Sequence, residues 1–532
     1  MTKSGLTRAE LLKRAAATAP VLLMAKSATA LGAAPSSLQG MNVLIVLTDQ
    51  ERAIQHFPPG WVRQNLPGYS RLQRHGLTFD HAFCNACMCS PSRSTLMTGY
   101  LTAQHGVKYT LESNMSADDY PQIELDTSYA NLATVMAAAG YTPVYKGKYH
   151  CVKAAAGGEN WVPEDVDQYG WTRWDPPDAG ANQDADQAGG GFVDHDGRYV
   201  NAQGDASSGG EGAIEYLQSV AAQQQPFCMV ISLVNPHDVL FYPSNLVANG
   251  YDSSWLQGYI KRPRTADEDL STKPHVQKEF LDISQALGPL QSPAKQRNYI
   301  NFYGNLMRSS DAYLVEILNT LVTTGLLQNT VIVRTADHGE MGMTHGGQRQ
   351  KNFNMYEETM RIPLIYSNPR LWPRPQRTKA LVSHVDLVPT FASLFGAPSS
   401  ALPGTQGVDY SAQVLGAGGA AQSYTVFTYD DWQSGQDRSP YPSPPNHIVA
   451  IREQRFKLAK YYDASGTLPS QWEMYDLAKD PLEQANLAYH GYRRTREQDL
   501  QYARLRRKLA QVEQTRLQPL PTTQESPITQ GG

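Results

Sequence analysis

Four short apolar runs, each broken off by polar and ionisable residues, most constrain what this chain can fold into. Val43-Leu44-Ile45-Val46-Leu47 gives way to Thr48-Asp49-Gln50, and Thr142-Pro143-Val144-Tyr145 to Lys146-Gly147-Lys148-Tyr149-His150. Cys228 to Val234 runs into Asn235-Pro236-His237-Asp238, and Val331-Ile332-Val333 leads through Arg334-Thr335-Ala336 to Asp337-His338-Gly339. Runs without polar alternation are strands buried on both faces. Helical segments lie between them: Asn131–Ala139, stopped by Gly140, and Asn298–Thr323, stopped by Gly325. Strand alternating with helix predicts an α/β fold, a large mostly parallel sheet sandwiched by helices. In such sheets ligands bind beyond the carboxyl ends of the strands, where these carboxylates, imidazoles and lysines fall. Singly, an Asp after a strand is a helix cap and a His beside Pro a turn residue. Four together define a site.

The chain has 532 residues, enough for one large domain and a smaller appendage. A formal charge of −4 gives no field that would draw it to nucleic acid or anionic lipid, and no apolar run is long enough to span a bilayer. Lys3, Arg8, Lys13 and Arg14, then apolar Ala15 to Met24 and small Ala28-Thr29-Ala30, read as an export signal over residues 1–34, implying a periplasmic or secreted protein. Leu6 to Lys13 resembles the start of a twin-arginine signal with Ala9 in place of the second arginine, so the route stays open. An amphipathic N-terminal helix is the alternative. Five cysteines, at 84, 87, 89, 151 and 228, are too few for a disulfide scaffold, and Cys84-x-x-Cys87 lacks a second pair to complete a zinc cage.

Cys89-Ser90-Pro91-Ser92-Arg93-Ser94-Thr95-Leu96-Met97-Thr98-Gly99 reads as a helix, with Pro91 in its first turn and Gly99 at its stop. Cys89 then sits at the positive end of the helix, and Arg93 one turn on can stabilise an anion held there. Spacing alone leaves open a buried cysteine before an ordinary helix. The stretch matches at every fixed position the motif C-x-P-S-R-x-x-L-x-T-G of the formylglycine-dependent sulfatases, members of the alkaline phosphatase superfamily, and the chain resembles that family. Asp49-Gln50, Gly147-Lys148-Tyr149-His150, Pro236-His237, Asp337-His338-Gly339 and Lys351 through Tyr356-Glu357 are similar to its other blocks, in the same order.

The resemblance implies a sulfuric ester hydrolase, arylsulfatase-like, in which Cys89 is converted to formylglycine by a formylglycine-generating enzyme. A hydroxyl of the hydrated aldehyde would attack the sulfur of a small-molecule or carbohydrate sulfate ester. It further implies one divalent metal held by Asp49, Gln50, residue 89, Asp337 and His338, with Ca2+ favoured by the oxygen-rich set and Mn2+ or Mg2+ the alternatives. Arg93, Lys148 and Lys351 would stabilise the sulfuryl oxygens, His237 would protonate the leaving oxygen and His150 would take a proton from the remaining hydroxyl, two roles open to exchange. Many relatives carry Asp where Gln50 stands and Asn where His338 stands. The Gln and His pairing is similar to phosphonate monoesterases and choline-sulfatase-like members, which keeps phosphonate or phosphate ester hydrolysis as the alternative.

Residues 162–211, rich in Asp, Gly, Asn and Gln with scattered aromatics, read as a long rim segment, and Tyr251 to Ala294 as a second. The expected organisation is a signal over 1–34, a catalytic domain over 40–416, a C-terminal subdomain over 417–518 and a loose tail over 519–532. The subdomain is read as an antiparallel sheet, with strands at Ile448–Ile451 and Phe456–Ala459, and a charged helix over Arg493–Gln514.

Overall fold

A computed structural model describes residues 37–113, 115, 120–180, 195–201, 210–402, 404–436 and 439–520. The expected export signal and the end of the expected tail lie outside the described residues.

The fold is α/β, with a seven-stranded mixed sheet in the order β4-β5-β1-β6-β7-β2-β8. Its strands are β1 (Asn42–Thr48), β2 (Gly76–Phe83), β4 (Thr142–Gly147), β5 (Phe227–Leu233), β6 (Thr330–Ala336), β7 (Leu364–Ser367) and β8 (Gln376–Ser383). The four apolar runs are β1, β4, β5 and β6, four neighbours joined in parallel. Because Thr48 pairs with both Leu233 and Ala336, the three carboxyl ends finish side by side. β7 runs antiparallel to both β6 and β2. Sequence reasoning did not single out β2, β7 or β8, which lie away from the ionisable strand ends.

Side chains alternate across the strands, so each face needs its own cover. Val43, Ile45, Val331 and Val333 face a cluster with Leu132, Val135, Phe391 and Phe395. Leu44, Val46, Ile231 and Ile332 face Tyr299, Phe302, Tyr303 and Leu306 of the Pro293–Thr323 helix. That helix starts earlier than the apolar periodicity indicated. Ser292 caps it by accepting from Lys295 N, and Pro293 occupies its first turn, where a missing N–H costs nothing. The helix before β4, expected over Asn131–Ala139, spans Leu132–Ala138, and Asn131 caps it by accepting from Ala133 N and Thr134 N.

A second sheet has the order β12-β11-β10-β9-β3, built from β3 (Ala86–Cys87), β9 (Tyr424–Tyr429), β10 (His447–Glu453), β11 (Phe456–Tyr462) and β12 (Gln471–Asp476). β9 through β12 pair antiparallel, and Leu505, Leu509 and Val512 of the Arg496–Thr515 helix cover one face. The other face, through Phe427, Tyr429, Ile448 and Tyr461, packs on Phe353 and Tyr356 of the large domain. β3 adds in parallel to β9, so the residues just before Cys89 are a strand of the second sheet.

Gly147 marks a close approach between two strands of the large sheet. It has φ +90°, and a Cβ there would lie 2.0 Å from the backbone oxygen of Ser232 in β5. Gly147→Ala is expected to cost more than about 2 kcal/mol in urea unfolding, by left-handed strain plus a strand clash. Gly157→Ala, at φ +78° with nothing within 4 Å, should cost only about 1 kcal/mol. Equal losses would show that the approach of β4 to β5 sets no limit.

Candidate active site

The strand ends converge as their positions in the sheet require. Asp49 follows β1 and Asp337 follows β6, and the N–H of Asp337 donates to the carbonyl of Thr48 at 3.1 Å, locking the two exits together. The Cys89–Thr98 helix, with every residue buried and its C-cap Gly99 at φ 72°, points its first residue at them. Cys89 Sγ lies 3.7 Å from Asp49 Oδ1 and 3.3 Å from His338 Nε2. Ligand atoms of Asp49, Cys89, Asp337 and His338 all fall within 4.8 Å of one another, a buried cluster that could hold a metal ion.

The tautomer and amide orientations around the cluster follow from the hydrogen bonds. His338 Nδ1 lies 3.1 Å from the carbonyl of Gly339, to which its N–H donates, leaving the Nε2 lone pair facing the cluster. Gln50, at φ 62°, is fixed from both ends. Its Nε2 contacts Glu340 at 2.5 Å, an acceptor only, so Oε1 must point the other way, where it accepts from Lys351 Nζ at 2.6 Å. Glu340 also accepts from Tyr299, Gly342 and Gln350. It was not singled out from sequence because nothing in its spacing separates it from a helix cap. Two carboxylates, an imidazole nitrogen and an inward side chain at position 89 suit a divalent cation bound mainly through oxygen.

Arg93 binds this cluster together. Its Nε donates to Asp337 Oδ2 at 2.9 Å, Nη2 to Asp49 Oδ2 at 3.3 Å, and Nη1 to the Lys148 carbonyl at 2.7 Å and Ser232 Oγ at 2.9 Å. Lys148 Nζ approaches Asp49 Oδ2 to 2.6 Å, an ion pair whose direction is off that of a hydrogen bond. Burial alone would raise Asp49, but Lys148, His237 and Arg93 more than offset it and hold the carboxyl well below its usual range. Burial lowers Arg93 and Lys148, yet the facing carboxylates leave both raised and charged. The Cys89 thiol, pushed up to about 11 by burial and then Asp49, is neutral at ordinary pH.

Beside the cluster opens a cleft of about 220 Å³ whose lining includes Cys89, His150, His237 and Lys351. Arg93 and Lys148 lie beneath it, against the carboxylates. His150, at φ 54°, is held by Asp178, which accepts from the backbone N–H of Tyr149 and of His150 at 2.7 and 2.6 Å. Its Nε2 is 2.6 Å from the Leu111 carbonyl, so that nitrogen carries the proton and Nδ1 offers its lone pair. Burial and then Lys148 push His150 well below its ordinary value, and burial does the same for the partly exposed His237. Phe280, Ile283 and Leu287, from the second expected rim segment, wall the cleft opposite. Of the first, Gly180 reaches it, and residues 181–194 and 202–209 lie outside the described residues. Asp178 was missed because it is buried within that polar excursion. All five cysteines are free, with Cys84 and Cys87 sulfurs 4.0 Å apart.

His345 has a structural place. Its Nδ1 is 2.8 Å from Glu268, its Nε2 3.7 Å from Glu358, a charge contact beyond hydrogen-bonding reach, and its ring stacks on Tyr356 at 3.6 Å.

The profile described as Sulfatase matches residues 41–397, and the one described as N-sulphoglucosamine sulphohydrolase, C-terminal, matches 346–515. The chain belongs to the sulfatase family, and it is a sulfuric ester hydrolase. It is 25% identical to arylsulfatase K of Canis lupus familiaris over 460 residues, 84% of this chain and 79% of that one. It is 24% identical to N-acetylglucosamine-6-O-sulfatase of Bacteroides thetaiotaomicron over 509 residues, 84% and 82% of the two chains. Among solved structures it is similar to a 2-O GAG sulfatase, with TM-score 0.65 and 19% identity over 89% of this chain and 92% of that one. It is likewise similar to the phosphonate monoester hydrolase of Silicibacter pomeroyi, with TM-score 0.62 and 19% identity over 90% and 96%. At such identity these two show a shared fold.

Although burial lowers His345, Glu268 and Glu358 more than offset it and carry it up to about 9. A pKa raised above an unfolded value of about 6.5 contributes stability that is complete below that pH and lost as pH climbs through the folded value. Stability should therefore fall between pH 6.5 and about 9. His345→Gln should flatten that slope in urea titrations at stepped pH, and an unchanged slope would assign it to other groups.

Proposed function

We propose that this sulfatase carries formylglycine at position 89, made by a formylglycine-generating enzyme, and removes sulfate from a carbohydrate sulfate monoester with one divalent cation, calcium, in the site. What carries the reading is residue 89 itself. It lines the cleft while its side chain lies 3.3 Å from His338 Nε2 and 3.7 Å from Asp49 Oδ1, so one group meets both substrate space and ligand cluster. A plain thiol there is neutral and poorly nucleophilic, whereas an aldehyde hydrate supplies a hydroxyl and a route to release sulfate. The names of relatives acting on N-acetylglucosamine and GAG sulfates support the carbohydrate substrate.

Asp49, Asp337, His338, Gln50 and residue 89 would hold the cation, which supplies charge neutralisation at the sulfuryl oxygens. Arg93 and Lys148 keep Asp49 ionised, and Arg93 fixes both carboxylates, while Lys351, in the cleft wall, offers its ammonium to a sulfuryl oxygen. His150, with its Nδ1 lone pair free, is set to take a proton from residue 89. His237, neutral in the free cleft, gains basicity when an anionic ester arrives and is placed to protonate the leaving oxygen. No helix among the described residues is long and apolar enough to cross a membrane. The basic, then apolar, then small-residue start supports export to the periplasm or beyond.

Peptide mass spectrometry after co-expression with the generating enzyme should find formylglycine at position 89, and that protein should cleave 4-nitrophenyl sulfate faster than the matching phosphate and phosphonate esters. Unmodified Cys89 in an active protein, or preference for the phosphorus esters, would overturn the proposal. Cys89→Ala should keep the fold and lose turnover by about 10³-fold or more. Asp337→Asn should lower bound calcium in elemental analysis together with activity, and full calcium content in that variant would move the metal elsewhere.

A further inference from the structure

One wall of the cleft carries a carboxylate for which the hydrolytic steps have no use. Glu112 lines the same cleft as Cys89, His150, His237 and Lys351. We infer that Glu112 is a specificity-determining residue that selects sulfate esters whose leaving group bears an ammonium or hydroxyl donors, and rejects those bearing a second sulfate or a carboxylate. The inference rests on the sulfatase reading of the same site and concerns the other half of the substrate.

Charge in the cleft supports it first. Among the described lining residues Lys351 is the only lysine or arginine, and its ammonium already donates to Gln50. No other fixed cation among the described lining residues pairs with a second anion on the leaving group, and Glu112 offers such an anion no partner. A like charge facing a desolvated carboxylate is disfavoured, and an opposite charge or a set of donors is favoured.

Access is the second support. Glu112 faces Gly435, at φ +70°, where a Cβ would lie 3.4 Å from Glu112 Oε1 and 3.9 Å from Met88 Cε. The absence of a side chain at position 435 keeps the space in front of the carboxylate clear. The backbone N–H of Glu112 donates to Gln122 Oε1 at 2.9 Å, which fixes the residue's stem. Burial holds the Glu112 carboxyl well above its usual range, with Lys148 only partly opposing. A carboxyl held this way gains from a cationic or hydroxyl-rich ligand placed before it.

The remaining wall completes the description. Leu240, Phe280 and Leu287 offer an apolar surface for the C–H face of a sugar or for an aryl ring. A ring bound between that wall and Glu112 would present donors to the carboxylate while its ester oxygen reaches residue 89. The ligand class is therefore a singly sulfated amino or neutral ring compound.

Phenyl sulfates bearing meta aminomethyl, hydroxymethyl or carboxylate substituents test this on the full, formylglycine-containing, calcium-loaded protein. Wild type should prefer the ammonium over the carboxylate ester by about a hundredfold in kcat/KM, and Glu112→Gln should cut that ratio to about tenfold or less. Glu112→Asp, which withdraws the carboxylate by one methylene, should give an intermediate ratio and covers a Gln variant that fails to fold. An unchanged ratio in the variants, or wild type accepting the carboxylate ester as well as the ammonium one, would overturn the role of Glu112. If none of these esters nor 4-nitrophenyl sulfate is cleaved by protein with verified formylglycine, it is the sulfatase reading that fails. Calorimetric binding of the same esters then still reads Glu112 directly, with the ammonium ester expected to bind about tenfold more tightly to wild type than to Glu112→Gln.

Discussion

The structure turns on one buried guanidinium. Asp49 and Asp337 leave adjacent strands with no solvent to share their charge, and two carboxylates so close repel unless a cation lies between them. Arg93 supplies that cation in the one form that serves both, a planar fork with Nε on Asp337 and Nη2 on Asp49. Its third arm ties the carbonyl of Lys148 and the hydroxyl of Ser232, so the ends of β4 and β5 are drawn to the same point. Removing one member of such a buried set costs about 3–5 kcal/mol, because it strands the others. A neutral or monodentate residue at position 93 could not replace it.

Around that point the two sheets divide the work. The large sheet fixes the two carboxylates, because its parallel strands end together and their exits are hydrogen-bonded to one another. The second sheet holds the approach to residue 89. β3 joins it immediately before the Cys89–Thr98 helix, and Asn352 bonds to Ser434 at 2.7 Å across the seam beside the cleft. Residue 89 is thus pinned between two sheets rather than carried on a loop. Such support favours an electrostatic site whose groups need no rearrangement as charge develops.

The imidazoles show how backbone carbonyls assign chemistry. His338 donates its N–H to the Gly339 carbonyl and turns a lone pair to the carboxylate cluster, and His150 donates its own to the Leu111 carbonyl and turns a lone pair to the cleft. Burial keeps His150 neutral, so it arrives ready to accept a proton. The same residue type faces a carboxylate cluster at His338, a cleft at His150 and, at His345, stands as a charged strut between Glu268 and Glu358, according to what surrounds it.

The sequence by itself determined the strands that end in chemistry and the helix that presents Cys89. Doubly buried strands and a proline-to-glycine helix leave local signatures that need no partner to be legible. Family membership was legible for the same reason, since the run from Cys89 to Gly99 is contiguous. β2, β7 and β8, the early start of the helix at Pro293 and the membership of β3 in the second sheet were not, because each depends on a partner distant in the chain. Tertiary structure alone decided that Arg93 serves the carboxylates beneath the cleft, that Glu340 turns Gln50, that Asp178 holds His150 and that Glu112 faces the cleft. Those residues carry no pattern of their own. A buried charge acquires its meaning only from what it is buried against.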